Sequence, residues 1–260
     1  MRIDRLGAIR QHLYYNGSTA LADLCEAVGA SIATVRRDLQ TLEKQGLIER
    51  VHGGARLAEW AGTEVAFGQR ESSNIAAKRA IADLAFGLLR PNTAVFLDAG
   101  TTVLQLARRL RLDPMPLTAV TNGLPVAQEL MGVPGIKVMT LGGELRPDNA
   151  SIVGPHAEAQ LDKMHFDQLF MGAGAIGEDL SIFTGDLAEA NLNARMLARS
   201  RQRIALVDAT KFARAATYVV GTLSNVTHAI SDSSLPSRWR QLVENAGVEL
   251  LLADIEWGSI

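Results

Sequence analysis

The sequence predicts a small, mainly α-helical domain followed by a larger α/β domain with a largely parallel sheet. Apolar residues recur at helical spacing through most of residues 1–57. From residue 93 onward, short apolar runs with strand character alternate with helical segments instead. The chain has 260 residues, 47% of them hydrophobic, which is enough for both cores. We therefore predict domains at 1–57 and 71–260, joined by a linker at 58–70.

The composition narrows the class of protein before any motif is considered. The single cysteine, Cys25, cannot form an internal disulfide, which fits a reducing cytoplasm. The first 20 residues contain three arginines and no apolar run, so we predict no signal peptide. No run of about 18 apolar residues predicts a membrane-spanning helix. The five histidines are scattered, so we predict no metal site and expect no cofactor.

Three helices and a hairpin are predicted in the N-terminal domain. The first helix covers roughly Asp4–Tyr15, and the second begins at Ser18 or Thr19. The third begins after the tight, glycine-containing connection Val28–Ser31, which is typical of helix-turn-helix units. Ser31 is its predicted N-cap, and its predicted core stripe contains Ile32, Val35, Leu39 and Leu42. The segment "LIERVHGGARL" then predicts a two-stranded wing around a Gly-Gly tip.

The placement of polar residues in this domain indicates DNA binding. Residues 1–57 contain eight Lys or Arg and six Asp or Glu, a net charge of +2, whereas the remainder of the chain carries −4. First-turn residues of a third helix of this kind can meet base edges, and arginines further along can bind phosphate or guanine. A Gly-Gly tip also lets a wing approach the DNA backbone closely. The predicted DNA-binding residues are Ser31, Thr34, Arg36, Arg37, Arg50, His52 and Arg56.

Simpler interpretations of two of these features stay open at this point. Arg36 and Arg37 are also compatible with a solvated helix face on which they pair with Asp38 or Glu43. His52 is equally compatible with a phosphate contact and with an ordinary turn residue.

The segment "TVRRDLQTLEKQGLIERVHGGA", Thr34–Ala55, resembles the signature of the DeoR family of bacterial transcriptional regulators. The resemblance extends over most of the chain. It implies an N-terminal winged helix-turn-helix and a C-terminal sugar-phosphate sensor. The sensor half of the family resembles ribose-5-phosphate isomerase and coenzyme A transferase folds, so the resemblance implies that fold for residues 71–260.

Polar residues and glycines follow five predicted strands of the α/β domain. The stretch "VFLDAGTT" predicts a buried strand that ends in a tight turn and leads into a helix N-terminus, which is a natural binding site for an anion. Ligands of parallel sheets bind beyond the carboxyl ends of the strands. Each strand end alone is compatible with a turn or a solvated side chain, but together they predict a pocket for a small anion. The predicted ligand-binding residues are Asp98, Gly100, Thr101, Thr102, Asn122, Gly142, Gly143, Asp208 and Lys211.

The family's ligand pattern matches this chain in most places and departs in two. "DAGTT", "TN", "LGG" and "GA" are present, but "D-S-S-K-F" is replaced by Asp208-Ala209-Thr210-Lys211-Phe212, and many members have an aspartate where this chain has Gly174. The departures concern the identity of the ligand. Glu189 matches a family glutamate, and a catalytic base and a helix-surface residue are both compatible with it.

Three functions fit these features. The favoured one is a cytoplasmic repressor of a carbohydrate or polyol catabolic operon that binds operator DNA as a homodimer or homotetramer. A phosphorylated sugar would release it from the operator. An alternative is an enzyme, a sugar-phosphate isomerase with an accessory DNA-binding module. A third hypothesis is a regulator that responds to a protein partner. No membrane partner is predicted.

Overall fold

Two compact units, Met1–Gln69 and Arg70–Ile260, make up the chain in a computed structural model. The structure describes residues 2–44, 48–51, 53–57 and 64–255. Each unit has an apolar cluster of its own, as expected for domains with separate cores.

Three helices and a small antiparallel sheet form the first unit. Helices α1, α2 and α3 cover Arg2–Asn16, Leu21–Val28 and Ile32–Lys44. Strands β1, β2 and β3 cover Thr19–Ala20, Ile48–Val51 and Gly54–Leu57, in the order β1-β3-β2. The predicted wing is therefore present as β2–β3. The predicted start of the second helix is wrong, because residues 19–20 form a strand on β3 instead.

The core of the first unit lies where the three helices meet the sheet. Ile9, Leu13 and Leu24 are fully or almost fully buried there, together with Val35, Leu39 and Leu42 of α3. The prediction that Ile32 belongs to this core stripe is wrong, since 52% of that residue is exposed. Burial in α3 begins one turn later, at Val35, so the first turn of the helix extends beyond the packed surface.

Two helices lead into the sheet of the second unit. Helix α4 covers Glu64–Ser72, so the last part of the segment that we interpret as a linker is helical. Helix α5 covers Ile75–Leu88. Its buried face consists of alanines and Ile81, and also contains a lysine, Lys78. Leu84, which helical spacing predicts to face inward, is exposed.

A seven-stranded sheet forms the centre of the second unit. All of its neighbouring strands run parallel, in the order β15-β14-β12-β9-β4-β5-β6. The strands are β4 (Ala94–Leu97), β5 (Leu117–Thr121), β6 (Ile136–Thr140), β9 (Phe166–Met171), β12 (Ser200–Leu206), β14 (His228–Asp232) and β15 (Glu249–Ala253). The predicted fold class, an α/β domain with a largely parallel sheet, is confirmed.

The order of the strands defines where a ligand would bind. From β4 the chain first adds β5 and β6 on one side, and then returns to add β9, β12, β14 and β15 on the other. The sheet therefore changes its direction of growth between β4 and β9. Open parallel sheets bind ligands at such a switch point, beyond the carboxyl ends of the strands.

Helices and smaller strands surround the sheet. The helices are α6 (Thr101–Leu112), α7 (Leu124–Leu130), α8 (Pro155–Leu161), α9 (Leu187–Ala198) and α10 (Ser237–Asn245). Strands β7 (Glu144–Arg146) and β8 (Ser151–Val153) form a hairpin, and β10 (Ala175–Ile176), β11 (Ser181–Thr184) and β13 (Tyr218–Thr222) form an antiparallel sheet. The sequence did not predict these strands, and β7, β8, β10 and β11 have only two to four residues each.

Candidate functional sites

Helix α3 presents Arg36 and Arg37 to solvent. Within the described ranges, neither guanidinium has an ion-pair or hydrogen-bond partner. Asp38, which the sequence left open as a partner, is buried and accepts a hydrogen bond from Arg5 at 2.6 Å instead. That ion pair joins α1 to α3. The two arginines of α3 are therefore available to a phosphate or to the edge of a guanine.

Ser31 and Thr34 lie together at the first turn of α3. Their hydroxyl oxygens are 2.9 Å apart, and the Thr34 N–H donates to the Ser31 Oγ at 3.4 Å. This long contact is consistent with Ser31 as the predicted N-cap. Both side chains remain at least partly exposed, and a hydroxyl has more than one hydrogen-bonding position, so each can also meet a phosphate or a base.

The charged residues and the glycines of the wing have contacts within the protein. Arg56 donates from Nε to Glu49 on the facing strand at 2.7 Å, whereas Arg50 is exposed. A Cβ at Gly54 would lie 2.1 Å from the carbonyl oxygen of Thr19, so this glycine is required for the pairing of β1 with β3. That requirement explains Gly54 without any contact to DNA. The predicted contact at His52 lies outside the described residues.

Asp98 connects the ends of the two strands at the switch point. Its carboxylate accepts hydrogen bonds from the N–H of Ala99 at 2.7 Å and from the N–H of Gly172, at the end of β9, at 3.0 Å. A Cβ at Gly100 would lie only 3.5 Å from the Cα of Gly172, so the two strand ends approach closely. Burial and, to a smaller extent, the negative charge of Glu189 raise the pKa of Asp98 to about 7, against the effect of the two N–H donors.

The N-terminus of α6, directly after Asp98, is open to an anion. Gly100 is its N-cap residue, and no side chain caps the first turn. Among the described residues, the hydroxyls of Thr101 and Thr102 have no hydrogen-bond partner. On the next strand end, the Asn122 Nδ2 donates to the carbonyl of Ile152 at 3.4 Å, while its buried Oδ1 lacks a partner in the part of the chain that the structure describes. These unused groups suit a ligand with both anionic and hydroxyl groups.

Asp208 and Lys211 occupy the end of β12. The Asp208 Oδ1 accepts from the N–H of Thr210 at 3.1 Å, from its hydroxyl at 2.5 Å and from the Asn74 Nδ2 at 3.2 Å. Thr210 therefore supplies a hydroxyl where the family pattern has a serine. Lys211 is half-buried and has no ion-pair partner within the ranges that the structure describes. Its charge, with that of Arg70, contributes to lowering the pKa of Lys78, although burial is the main cause.

Glu189 lies in a network that the sequence did not predict. One oxygen, Oε2, accepts from Arg146 at 2.7 Å and from the Thr184 hydroxyl at 2.8 Å, and the other accepts from Asn149 at 3.0 Å. Asn149 in turn accepts from the guanidinium of Arg70 at 2.9 Å. Of the two interpretations left open for Glu189, the helix-surface residue is wrong, because the side chain is only 15% exposed.

Comparison with known proteins follows the same division of the chain. A model of the DeoR-like helix-turn-helix domain matches residues 5–60, and a model of the DeoR C terminal sensor domain matches residues 73–233. The chain belongs to the DeoR family of transcriptional regulators. The predicted resemblance is thereby confirmed, and with it a role in transcription through DNA binding.

Individual relatives agree with this membership. A putative aga operon transcriptional repressor from Escherichia coli O157:H7 is 34% identical over 96% of this chain and 93% of its own length. An L-fucose operon activator from Haemophilus influenzae is 28% identical over 94% of this chain and 97% of its own. Ribose 5-phosphate isomerase A from Methanocaldococcus jannaschii is similar over 54% of this chain and 55% of its own, with 18% identity and a TM-score of 0.40.

Two of the predicted ligand residues of this DeoR-family regulator have a packing explanation. The N–H of Gly142 donates to Gln160 at 3.0 Å, so it is already used within the protein. A Cβ at Gly143 would lie 2.5 Å from the carbonyl oxygen of Val153. Gly142 and Gly143 therefore allow the base of the β7–β8 hairpin to pack closely, and their contact with a ligand remains a prediction.

An open groove elsewhere on the sensor domain does not suit a phosphate. Its volume is about 470 Å³, and none of the nine predicted ligand residues lines it. Three carboxylates, those of Glu144, Glu158 and Asp186, contribute to its walls, and they would repel an anion. The described ranges contain no group of three or more residues arranged to hold a metal ion, and no helix long and apolar enough to cross a membrane.

Sequence reasoning missed several polar residues near the switch point. Arg70 lies in a segment with little periodicity, so no pattern pointed to it. Asn74, Arg146 and Asn149 lie in or beside short turns, where a single polar residue is common. Lys78 did carry a signal, because it interrupts the apolar face of α5, and its ammonium group is bound to the carbonyl oxygen of Arg70.

Proposed function

We propose that this regulator represses a carbohydrate or polyol catabolic operon and leaves its operator when a phosphorylated sugar binds the sensor domain. The observation that carries this proposal is the arrangement around the N-terminus of α6. Hydrogen-bonding groups that have no partner among the described residues lie there at the ends of the adjacent strands β4 and β5, and the half-buried Lys211 follows β12 of the same sheet. The name of one relative, a putative aga operon transcriptional repressor, favours repression, and that of the L-fucose operon activator favours control of a sugar operon.

In the proposed sensor site, the phosphate binds the open N-terminus of α6. The N–H groups of the first turn and the hydroxyls of Thr101 and Thr102 cradle it, and Lys211 adds a positive charge. Asp98, Asn122 and Asp208 accept hydrogen bonds from the hydroxyls of the sugar. A ligand that carries both kinds of group satisfies the site better than inorganic phosphate or an unphosphorylated sugar.

The proposed operator contacts lie on α3 and the wing. Arg36 and Arg37 bind phosphates or guanines, Ser31 and Thr34 bind at the first turn, and Arg50, His52 and Arg56 lie along the wing. An oligomer of this chain presents at least two such surfaces to a repeated or palindromic operator. Release follows if the effector binds more tightly to a conformation of the oligomer that does not fit the operator.

Arg70 is well placed to report occupancy of the sensor site. It lies in α4, the helix that crosses the boundary between the two units, and it donates to the Asp148 carbonyl at 2.8 Å and to Asn149. Asn149 is bonded to Glu189, whose charge acts on Asp98. An anion next to Asp98 changes the electrostatic balance among these groups and so acts on the C-terminal end of α4.

The alternative of an isomerase is weakened by the surroundings of Glu189. A catalytic base needs an oxygen lone pair that is available to the substrate. Both Glu189 oxygens already accept hydrogen bonds, and one of them forms an ion pair with Arg146. We propose that Glu189 positions the β7–β8 hairpin and that the protein is not an enzyme.

A thermal-shift screen of the full chain against sugar and polyol phosphates tests this function. A phosphorylated compound that binds the native state should raise the melting temperature in proportion to its concentration relative to Kd. The matching unphosphorylated sugars serve as controls. If no phosphorylated compound shifts the transition more than its unphosphorylated partner does, the proposed effector class is wrong.

A further inference from the structure

Ile32 is a large aliphatic residue exposed at the first turn of α3. Half of it, 52%, is in contact with solvent, and its two neighbours Ser31 and Ala33 are also exposed. In α3 the buried core residues begin at Val35, and Ile32 is not part of the core cluster. Single exposed apolar residues are common on protein surfaces, so exposure alone assigns no role.

The position of Ile32 among polar groups sets it apart from other exposed apolar residues. Ser31 and Thr34 are hydrogen-bonded to each other on one side, and Arg36, four residues further along, is exposed on the next turn. Arg36 and Arg37 have no partner among the described residues, so the surface around Ile32 carries uncompensated positive charge. A negatively charged partner with an apolar group at its edge would fit this surface.

Operator DNA is such a partner. In the major groove the base edges present hydrogen-bonding groups, together with one apolar group, the C5-methyl of thymine. A recognition helix places its N-terminal residues against those edges. Ile32 lies at that end of α3, in a domain that matches the helix-turn-helix model of the family.

We propose that Ile32 packs against the C5-methyl group of a thymine in each operator half-site and thereby contributes to sequence specificity. The inference rests on the proposed operator contacts of α3. It assigns a base-reading role to a residue that the apolar pattern places in the core. The two sides of the contact can be shortened independently, the isoleucine by mutation and the thymine by replacement with deoxyuridine.

The test is a double-mutant cycle across this contact. Operator DNA is first obtained by selecting binders from a random duplex library with the full-length protein, and each thymine is then replaced by deoxyuridine, one position at a time. For the wild type, one position per half-site should lose affinity about fourfold, the effect of removing one buried methyl group. For Ile32→Ala, the same replacement should have no effect.

Leu112→Ala is the matched control, since Leu112 is an aliphatic residue that is 81% exposed on the sensor domain. This variant should respond to deoxyuridine as the wild type does. The inference is overturned if no thymine is methyl-sensitive, or if Ile32→Ala keeps the wild-type sensitivity at every position. A uniform loss of affinity on all DNAs with a lower melting temperature would assign Ile32 a structural role and also overturn it. If the wild-type protein selects no DNA, the proposed operator contacts fail as well, which distinguishes the two failures.

Discussion

The two halves of this regulator differ in whether their charged residues are exposed or buried. On α3, Arg36 and Arg37 lie in water without a partner among the described residues, whereas Asp98 is buried and the charged groups around it are mostly buried or half-buried in hydrogen-bond networks. An exposed cation keeps its hydration in the free protein. When it binds a DNA phosphate, a counterion is released from the DNA, and that release favours binding. A buried network is costly to form but has fixed geometry, which suits recognition of one small molecule. The difference assigns affinity for a polyanion to one half and selectivity for a metabolite to the other.

The largest effect, on the response to the effector, is expected for substitutions in the proposed ligand-binding site of the sensor domain. Lys211→Ala should weaken the response to the sugar phosphate by about 100-fold, because charge-assisted hydrogen bonds contribute about 1.5–3 kcal/mol. Asp98→Ala should have a similar effect. Operator affinity without effector should stay at the wild-type level in both variants, as measured by a gel-shift titration.

Lys137→Ala is the control for this experiment, because Lys137 is an exposed lysine on the edge strand β6. Its effector titration should match that of the wild type. Unaltered effector titrations for both Lys211→Ala and Asp98→Ala would show that the ligand does not bind at the switch point.

The exposed half should respond to loss of a single cation. Arg36→Ala and Arg37→Ala should each weaken operator binding by about 10- to 100-fold, and should lower the slope of the salt dependence if the residue contacts a phosphate. Neither change should lower the melting temperature, since neither side chain packs in the core. Arg201→Ala, which removes an exposed arginine from the sensor domain, is the control. Wild-type operator binding by both α3 variants would exclude α3 as the reading helix.

The buried half should also show a dependence of stability on pH. Because folding raises the pKa of Asp98 from 3.8 to about 7, its protonated form is favoured in the folded protein. This contribution is fully present below pH 3.8 and is lost as the pH rises through 7. Between pH 5.5 and 8.5 the free energy of unfolding should therefore fall by about 2 kcal/mol more in the wild type than in Asp98→Asn. Urea denaturation at the two pH values measures this free energy for both proteins. An equal fall in the wild type and in Asp98→Asn would show that Asp98 is ionised throughout.

The smallest effect is expected in the wing. Arg56 and Glu49 form a pair in which both side chains are about half exposed, and such pairs contribute less than about 1 kcal/mol. Glu49→Gln should change the free energy of unfolding by less than about 0.5 kcal/mol. Operator affinity should stay equal or rise, because the variant removes a negative charge beside the DNA. Gly54→Ala, which introduces the clash with Thr19, is the contrast that should destabilise the wing. A large loss of stability in Glu49→Gln would contradict the description of this pair as a surface contact.

Much of the fold could be predicted because its long elements have strong patterns. The seven strands of the parallel sheet and the helices α1, α3, α5, α6, α7 and α9 all show apolar runs or helical spacing. Ile32 and Leu84 were placed wrongly inside because spacing alone does not show where a packed surface ends. The start of the second helix was wrong because Thr19 pairs with Ala55, more than 30 residues later in the chain, and no local pattern reports such a contact.

In the candidate sensor site, too, some residues could be predicted from local sequence patterns and others could not. Asp98, Asn122 and Asp208 could be predicted, because each follows an apolar strand and parallel strands bring their ends to one edge. Arg70 and Asn149 could not, because their placement depends on how α4 and the β7–β8 hairpin approach that edge. Their roles follow from tertiary contacts between segments almost 80 residues apart.

The central claim is that an exposed DNA-binding surface and a buried phosphate seat act in one chain as a switch. Fluorescence anisotropy of a labelled operator bound to the full-length protein measures this most directly, during titration with the phosphorylated compound identified by thermal shift and with its unphosphorylated sugar. The account predicts release by the phosphorylated compound and none by the free sugar at the same concentration. Equal release by both, or an operator complex that the phosphorylated compound leaves unchanged or strengthens, would contradict it.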